Sequence, residues 1–179
     1  MKQNTIVIYK SKTGFAKKYA EWIAEALQCD IKENVKLSLD DIIQYDTIIY
    51  GGGLYAVGIN GISLIKNNFD ALKNKNLIVY ATGATPSREE DLAKVWEMNF
   101  SEEQRQKIKM FYFRGGFNYS KLNMGNKVLM TMMKAKLKNE KEPSEDQKGM
   151  LEAIDKPVDF TDKQNITPLI KLMREIYEG

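Results

Sequence analysis

The sequence predicts an α/β protein built on a doubly wound parallel sheet, and three observations carry that prediction. Short runs that suit strands recur at Thr5–Tyr9, Ile31–Leu37, Ile48–Tyr50, Leu77–Ala81 and Met110–Phe113. Helical segments separate them, and the connections are too long for hairpins, as crossovers between parallel strands must be. The 179 residues are 43% hydrophobic and 28% charged, an ordinary globular balance within the size of one domain.

Thr5-Ile6-Val7-Ile8-Tyr9 reads as a buried parallel strand bounded by Ser11, Thr13 and Gly14. From Phe15 to Leu27 the residues Phe15, Tyr19, Trp22, Ile23, Ala26 and Leu27 return mostly at steps of three and four. Lys17, Lys18, Glu21 and Glu25 stand between them, which predicts an amphipathic helix. Ile31 to Leu37 is a weak, charged alternation suited to an edge strand, and Leu39–Ile43 a helical turn. Ile48-Ile49-Tyr50 predicts a buried strand that stops at Gly51-Gly52-Gly53. Gly61 to Leu72 predicts one helix with Ile62, Ile65, Phe69 and Leu72 on a single face, and Leu77–Ala81 is the most hydrophobic strand.

Ser87 before Glu90 and Ser101 before Gln104 have the spacing of capping boxes, and Met110–Phe113 is the fifth strand. Leu122–Leu137 reads as a helix with Val128, Leu129, Met132, Met133 and Leu137 on a broad apolar face, Lys127, Lys134 and Lys138 on another, and Met130 between. Such a helix either packs on the sheet through its methionines or presents a basic landing surface. Seven of the eleven residues from Lys138 to Lys148 are charged around Pro143, the composition of an exposed linker. Ser144 and Gln147 suit the start of a helix through Ile154. Asp162 opens a last helical segment, in which Thr167-Pro168 restarts the helix with proline at its first position. The expectation is one domain over residues 1–179, with an extended segment after the fifth strand at about 114–160.

Charge and composition narrow the function. No apolar run approaches the roughly 18 residues of a membrane span, and the N-terminus enters a strand-like run without a signal sequence, so a cytoplasmic protein is expected. The net charge of +3 and pI near 8.7 are too mildly basic to indicate nucleic acid without a concentrated patch. The chain has no histidine and a single cysteine, Cys29, so no metal centre is expected and no internal disulfide can form. Cys29 reads as an inert small hydrophobe, and Trp22 and Trp96 as core residues.

Ligands of open α/β sheets sit beyond the carboxyl ends of the strands, where three loops are unusual. Ser11-Lys12-Thr13-Gly14-Phe15-Ala16 leads straight into a helix, whose free amides and dipole favour an anion. It has neither the spacing of an NTPase phosphate loop nor the three glycines of a dinucleotide fingerprint, which leaves a mononucleotide phosphate or an ordinary polar helix start. Gly51 to Gly58 places four glycines around Leu54, Tyr55, Ala56 and Val57, letting backbone approach a flat ligand while Tyr55 offers a stacking face. An incidental tyrosine in a turn has the same pattern. Thr82-Gly83-Ala84-Thr85-Pro86 supplies small residues and hydroxyls that suit the other side of one ligand.

These three loops, with the helix from Lys17 to Leu27, resemble the flavodoxin-like FMN-binding proteins over nearly the whole chain. The resemblance implies a five-stranded sheet in the order 2-1-3-4-5 with helices on both faces. It implies FMN as cofactor, with Ser11, Lys12, Thr13, Gly14, Phe15 and Ala16 around the phosphate. Gly53, Leu54, Tyr55, Ala56, Val57 and Gly58, together with Thr82, Gly83, Ala84, Thr85 and Pro86, would flank the isoalloxazine. Ala16 departs from the hydroxyl residue common in that family, so backbone amides must replace one phosphate contact.

Phe113-Arg114-Gly115-Gly116-Phe117-Asn118-Tyr119-Ser120-Lys121, the Met- and Lys-rich helix, and Asp159-Phe160-Thr161-Asp162 resemble the menaquinone-dependent protoporphyrinogen oxidase branch. This implies an FMN-dependent oxidoreductase of haem synthesis that passes electrons to a quinone. Arg114, Lys121, Lys127 and Met130 would form the substrate side, with possible peripheral contact to the inner face of the membrane. The alternative is a flavodoxin-type electron carrier without its own substrate, a family usually acidic, against which the +3 charge counts. A phosphorylation receiver would need acidic residues where Lys10-Ser11-Lys12 and Gly51-Gly52-Gly53 stand. No catalytic side chain is named, because flavin supplies the redox chemistry itself.

Overall fold

The structure is a computed structural model that describes residues 4–55, 58–86, 88–121, 124–139, 148, 151 and 156–178. Five parallel strands form its centre: β1 (Thr5–Lys10), β2 (Asp30–Glu33), β3 (Thr47–Tyr55), β5 (Asn76–Gly83) and β6 (Lys109–Arg114). They lie in the order β2-β1-β3-β5-β6, and a sixth, two-residue strand, β4 (Gly58–Ile59), pairs antiparallel with β3. The sheet therefore carries one strand more than the expected five. β2 takes the edge and all four of its residues are exposed, while β1, β3 and β5 are buried on both faces.

Alternate side chains of the central strands feed two cores. Ile6, Ile8, Ile48, Tyr50, Leu77 and Val79 face the short helices α2 (Ser63–Lys66) and α3 (Phe69–Leu72) and then α4 (Glu89–Asn99), while Phe100 and Ile108, on either side of α5 (Glu102–Lys107), join the same core. Val7, Tyr9, Ile49, Ile78 and Tyr80 face α1 (Phe15–Leu27) and the C-terminal helix α7 (Thr167–Glu178). The buried stripe of α1 is Ala16, Tyr19, Ala20, Ile23 and Ala24. Trp22 is half-buried and edges onto Tyr19 with ring centroids 5.3 Å apart, while Ala26, expected inside, is exposed. Trp96 packs partly buried against the other core.

The largest departure from the sequence reading is at Gly51-Gly52-Gly53, which continue β3 to Tyr55 instead of ending it. The reason is contact across the sheet. In register, Gly51 pairs with Tyr80, and a Cβ on Gly51 would lie 1.9 Å from Tyr80 Cζ, so the phenol ring occupies the space a side chain would fill. The helix expected from Gly61 to Leu72 is two single turns, interrupted where Asn68 donates its side-chain amide to the Leu64 carbonyl. The edge strand ends at Glu33 and not at Leu37.

Other expectations meet the structure directly. Ser101 and Gln104 form a capping box at α5. Asp162 accepts from the Gln164 amide at the 3₁₀ turn Lys163–Ile166, and α7 restarts at Thr167-Pro168. The box at Ser87, the linker from 140 to 147 and the helix expected from Ser144 to Ile154 lie outside the described residues, apart from Lys148 and Leu151. No helix among the described residues is long and apolar enough to cross a membrane.

After β6 the chain forms β7 (Gly116–Phe117), a 3₁₀ turn (Tyr119–Lys121) and α6 (Met124–Lys138), and it returns through β8 (Val158–Asp159). β7 and β8 pair antiparallel, so this excursion leaves and rejoins the sheet at one place.

Gly51→Ala should lower stability by about 1–3 kcal/mol, because the added methyl must displace the Tyr80 ring. Tyr80→Phe, which keeps the ring, should cost about 0.5–1.5 kcal/mol by removing the buried hydrogen bond from its hydroxyl to the Ala16 carbonyl, which keeps its helical partner. Urea unfolding midpoints check both, and an unchanged midpoint for Gly51→Ala would contradict the packing account.

Candidate functional site

The carboxyl ends of β1, β3 and β5 bring the three loops to one edge of the sheet. β1 hands over to α1 through Ser11–Gly14, and Gly14, the helix N-cap, has φ of 97°, a left-handed conformation that glycine adopts without strain. No side chain caps α1, and its first helical hydrogen bond runs from the Lys18 amide to the Gly14 carbonyl. The amides of Phe15, Ala16 and Lys17 are thus without helical acceptors at the positive end of a 13-residue helix. Ser11 Oγ accepts from the Gly14 amide at 3.0 Å, which folds the loop and leaves the serine hydroxyl proton to donate elsewhere.

Two tyrosines, one from the sheet and one from α1 itself, anchor that helix start. Tyr80 OH donates to the Ala16 carbonyl at 2.8 Å in a buried site, and complete burial pushes its phenol well above the ordinary range. Tyr19 OH donates to the Arg114 carbonyl at 2.7 Å and accepts from the Asp162 amide and the Asn165 side chain. The Ala16 side chain is itself buried in the core, so only its backbone amide is left for a ligand.

The second loop is a hairpin, with Leu54 opposite Ile59 and Tyr55 opposite Gly58; Ala56 and Val57 lie outside the described residues. Lys12 Nζ stands 4.3 Å from the centroid of the Tyr55 ring, tying the hairpin to the first loop. Burial pushes the Tyr55 phenol up, and a hydrogen bond with the Thr13 side chain partly offsets this. At the hairpin base, Asn60 donates its backbone amide to the Gly53 carbonyl, while its side-chain Nδ2 is buried without a hydrogen-bond partner.

The third loop is pinned to β6. Arg114 Nε donates to the Ala84 carbonyl at 3.1 Å, Tyr112 OH donates to the Thr85 carbonyl at 2.6 Å, and the Gly115 amide donates to the Gly83 carbonyl at 2.7 Å. Thr82 is buried inside β5, Gly83 and Ala84 are half-buried, and Thr85 and Pro86 are exposed. The Arg114 guanidinium stacks 3.7 Å from the Phe160 ring centroid, so part of a side chain expected to face substrate is committed to holding this loop.

On the expected substrate side, Lys121 ends the 3₁₀ turn, and Lys127 and Met130 lie half-buried on α6. Among the described residues, no hydrogen bond or ion pair joins Lys127 or Met130 to the three loops. Val128 and Met132, read as part of the apolar face, are exposed; the side chains of Lys121, Leu129, Met133 and Leu137 lie outside the description. Cys29 is half-buried and its thiol is pushed up to about 11, mainly by burial, in keeping with an inert role.

Sequence reasoning missed the ribbon that flanks the helix start. The Phe160 amide donates to the Gly115 carbonyl, and Lys18 pairs with Asp159 at 3.0 Å. A Cβ on Gly116 would lie 2.6 Å from Phe15 Cζ, so the ribbon seats directly on Phe15. Asp159 and Asp162 each accept from the amide two residues on; the sequence marks Asp162 as a helix start, but nothing in the spacing shows which strand this segment returns to.

The arrangement suits an anionic, flat ligand: three amides without helical acceptors at a helix start, an aromatic ring, and three loops without a carboxylate. Residues 6–144 match the flavodoxin domain family model. This chain belongs to the flavodoxin domain family. Among solved structures it is similar to a putative flavoprotein from Bacteroides eggerthii, at 17% identity and a TM-score of 0.46, over 62% of this chain and 86% of that one. A flavoprotein in complex with FMN from Lactobacillus acidophilus has 18% identity and a TM-score of 0.39, over 63% and 92%. The two-electron reduced flavodoxin of Megasphaera elsdenii has 15% and 0.43, over 60% and 82%. At these scores the structural likenesses carry no argument about the site. No curated protein matches this chain.

Partial burial pushes the Asp159 carboxyl up, but hydrogen bonds from the Thr161 hydroxyl and amide and from Lys18 outweigh it and hold the carboxyl below its ordinary range. A depressed carboxyl stabilises the fold above the unfolded pKa, and that contribution is lost as pH falls through the folded one. Asp159→Asn should therefore lower thermal stability slightly at neutral pH, with the difference from wild type vanishing in acid. A difference independent of pH would show that charge plays no part.

Proposed function

We propose that this chain binds FMN at the three-loop edge and is an FMN-dependent oxidoreductase of the menaquinone-dependent protoporphyrinogen oxidase type. The observation that carries FMN binding is the uncapped start of α1, where the amides of Phe15, Ala16 and Lys17 and the Ser11 hydroxyl converge as donors for a phosphate monoester. The hairpin with Tyr55 and the pinned loop Gly83–Pro86 then border a planar ring system from two sides. When bound, FMN supplies hydride or single-electron transfer.

The charge at this edge supports an enzyme acting on an acidic substrate over a carrier that docks through its own acidic surface. Lys12 and Arg114 stand at the loops, and neither has a carboxylate partner among the described residues. A cationic rim suits propionate groups by attraction and orients them without a catalytic base. Tyr112 and Arg114 hold the third loop in place on one side of the ring site. The reading includes a quinone as electron acceptor.

Purified protein supplied with FMN should show the flavin spectrum and release a one-phosphate flavin on denaturation. Ser11→Ala should weaken FMN by ~1.5 kcal/mol, about tenfold, and leave riboflavin nearly unchanged, because only FMN carries the phosphate. Equal losses for both flavins would remove the phosphate assignment. Protoporphyrinogen oxidation with a menaquinone analogue tests the finer reading. Rapid reduction by a flavodoxin reductase with no turnover of protoporphyrinogen would favour the electron carrier instead.

A further inference from the structure

β2 is the outermost strand of the sheet, and among the described residues nothing pairs with its free side. The peptide groups of a strand alternate in direction as its side chains do, so each of its four residues has a definite assignment. Asn34, one residue beyond β2, donates its amide to the Tyr9 carbonyl of β1 at 2.7 Å. Asp30 and Lys32 are in step with Asn34 and turn their peptide groups to β1. The N–H and C=O of Ile31 and the N–H of Glu33 are therefore aimed outward. The Glu33 carbonyl is turned back to the Val35 amide at 2.9 Å, so Ile31 carries the complete open pair. The Ile31 side chain is 39% exposed and lies beside Val7 on the α1 face, while Asp30 and Lys32 lie on the other face beside Ile6 and Ile8.

Sheet edges are commonly blunted by shortness and charge, and this edge has both. Its charges nevertheless admit one symmetric pairing. Outward groups must meet outward groups, so in an antiparallel pair of identical edges the two-fold axis passes through a residue of the strand. Placed at Asp30, Lys32 or Glu33, the axis would bring that charge against its own copy. Placed at Ile31, it sets Ile31 against Ile31 and Asp30 against Lys32 on both sides of the axis.

From this self-complementarity we infer that two copies of the chain associate through β2, antiparallel and in register about Ile31. The two Ile31 residues exchange both backbone hydrogen bonds, and two Asp30–Lys32 ion pairs cross the seam on one face. Tyr45 OH already fixes the Asp30 carboxylate by donating to it at 2.6 Å, which lowers the cost of ordering it in the pair. Lys32 is in no ion pair among the described residues and feels Asp41 at longer range. A foreign strand would have to supply the same charges in reverse order, as the chain's own edge does. One sheet then runs through both copies, with the three-loop edges facing opposite ways. The pairing needs no flavin, so it stands or fails apart from the proposed function.

The test is sedimentation equilibrium of the full chain up to about 0.5 mM protein. Wild type should show a reversible monomer–dimer equilibrium, with amide exchange at Ile31 slowing as concentration rises. Ile31→Pro removes the outward N–H and leaves the ladder to β1 intact, so it should fold and dimerise at least about tenfold more weakly. Asp30→Lys and Lys32→Asp should each weaken the dimer to a similar degree, about tenfold or more, by setting like charges opposite one another. Mixed in equal amounts, these two variants should recover association, because each supplies the charges the other lacks. Thermal melts check folding; if Asp30→Lys, which loses the bond from Tyr45, does not fold, Ile31→Pro and Lys32→Asp decide the matter. A wild type that is monomeric at about 0.5 mM would overturn the inference. So would a dimer undiminished in Ile31→Pro or Lys32→Asp, or folded charge-reversed chains that fail to associate when mixed.

Discussion

A buried phenol that crosses the empty face of a glycine fixes where the first helix begins. Tyr80 rises from β5 over Gly51 of β3 and bonds the carbonyl of Ala16, one residue into α1. The helix start is thereby referenced to the two central strands of the sheet, and its free amides are aimed from a rigid base and not from a loop. A polar bond in so dry a place is strong because no water competes for it, and for the same reason its loss is felt by the whole helix. Tyr19 repeats the device from the helix side, joining β6, the 3₁₀ turn after Asp162 and α1 at a single hydroxyl. The site is assembled by these internal bonds before any ligand arrives.

Much of this order was legible from residue types alone. Strands buried on both faces announce themselves as unbroken apolar runs, and the capping box at Ser101 and the proline restart at Thr167-Pro168 are local chemistry that needs no tertiary partner. The three loops could be located because loops at the carboxyl edge of a parallel sheet are where ligands bind. Gly51 was misread because a glycine required by a close approach and a glycine required by a turn look identical in sequence. The distinction lies in Tyr80, 29 residues away, and only register reveals it. Likewise Arg114 reads as a free cation until Ala84 and Phe160 are seen to hold it. The single helix expected from Gly61 to Leu72 failed on a side chain, Asn68, that competes for a helix carbonyl.

Charge gives the molecule a direction. The three loops contain no carboxylate, α6 contains none, and the first turns of α4 and α5 carry Glu89, Glu90, Asp91, Glu102 and Glu103. The acids stabilise helix starts where no ligand is expected, and the start of α1, which has no acid in its first turn, is left open to an anion. An uncapped helix end is a small sacrifice of stability, and here it coincides with the best-anchored point of the fold. Structural cost and functional placement meet at Gly14 to Lys17.

The central claim is that the amides at the start of α1 receive the phosphate of FMN, with the hairpin and the loop after β5 bordering its ring. Amide chemical shifts recorded while the apoprotein is titrated with FMN, and separately with riboflavin, test it most directly. FMN should shift Ser11 to Lys17, Gly53 to Gly58 and Gly83 to Thr85, and riboflavin should shift the second and third groups while leaving the amides of Phe15, Ala16 and Lys17 nearly unmoved. Shifts at the α1 amides that are the same with both flavins, or confined to residues away from these loops, would contradict the account.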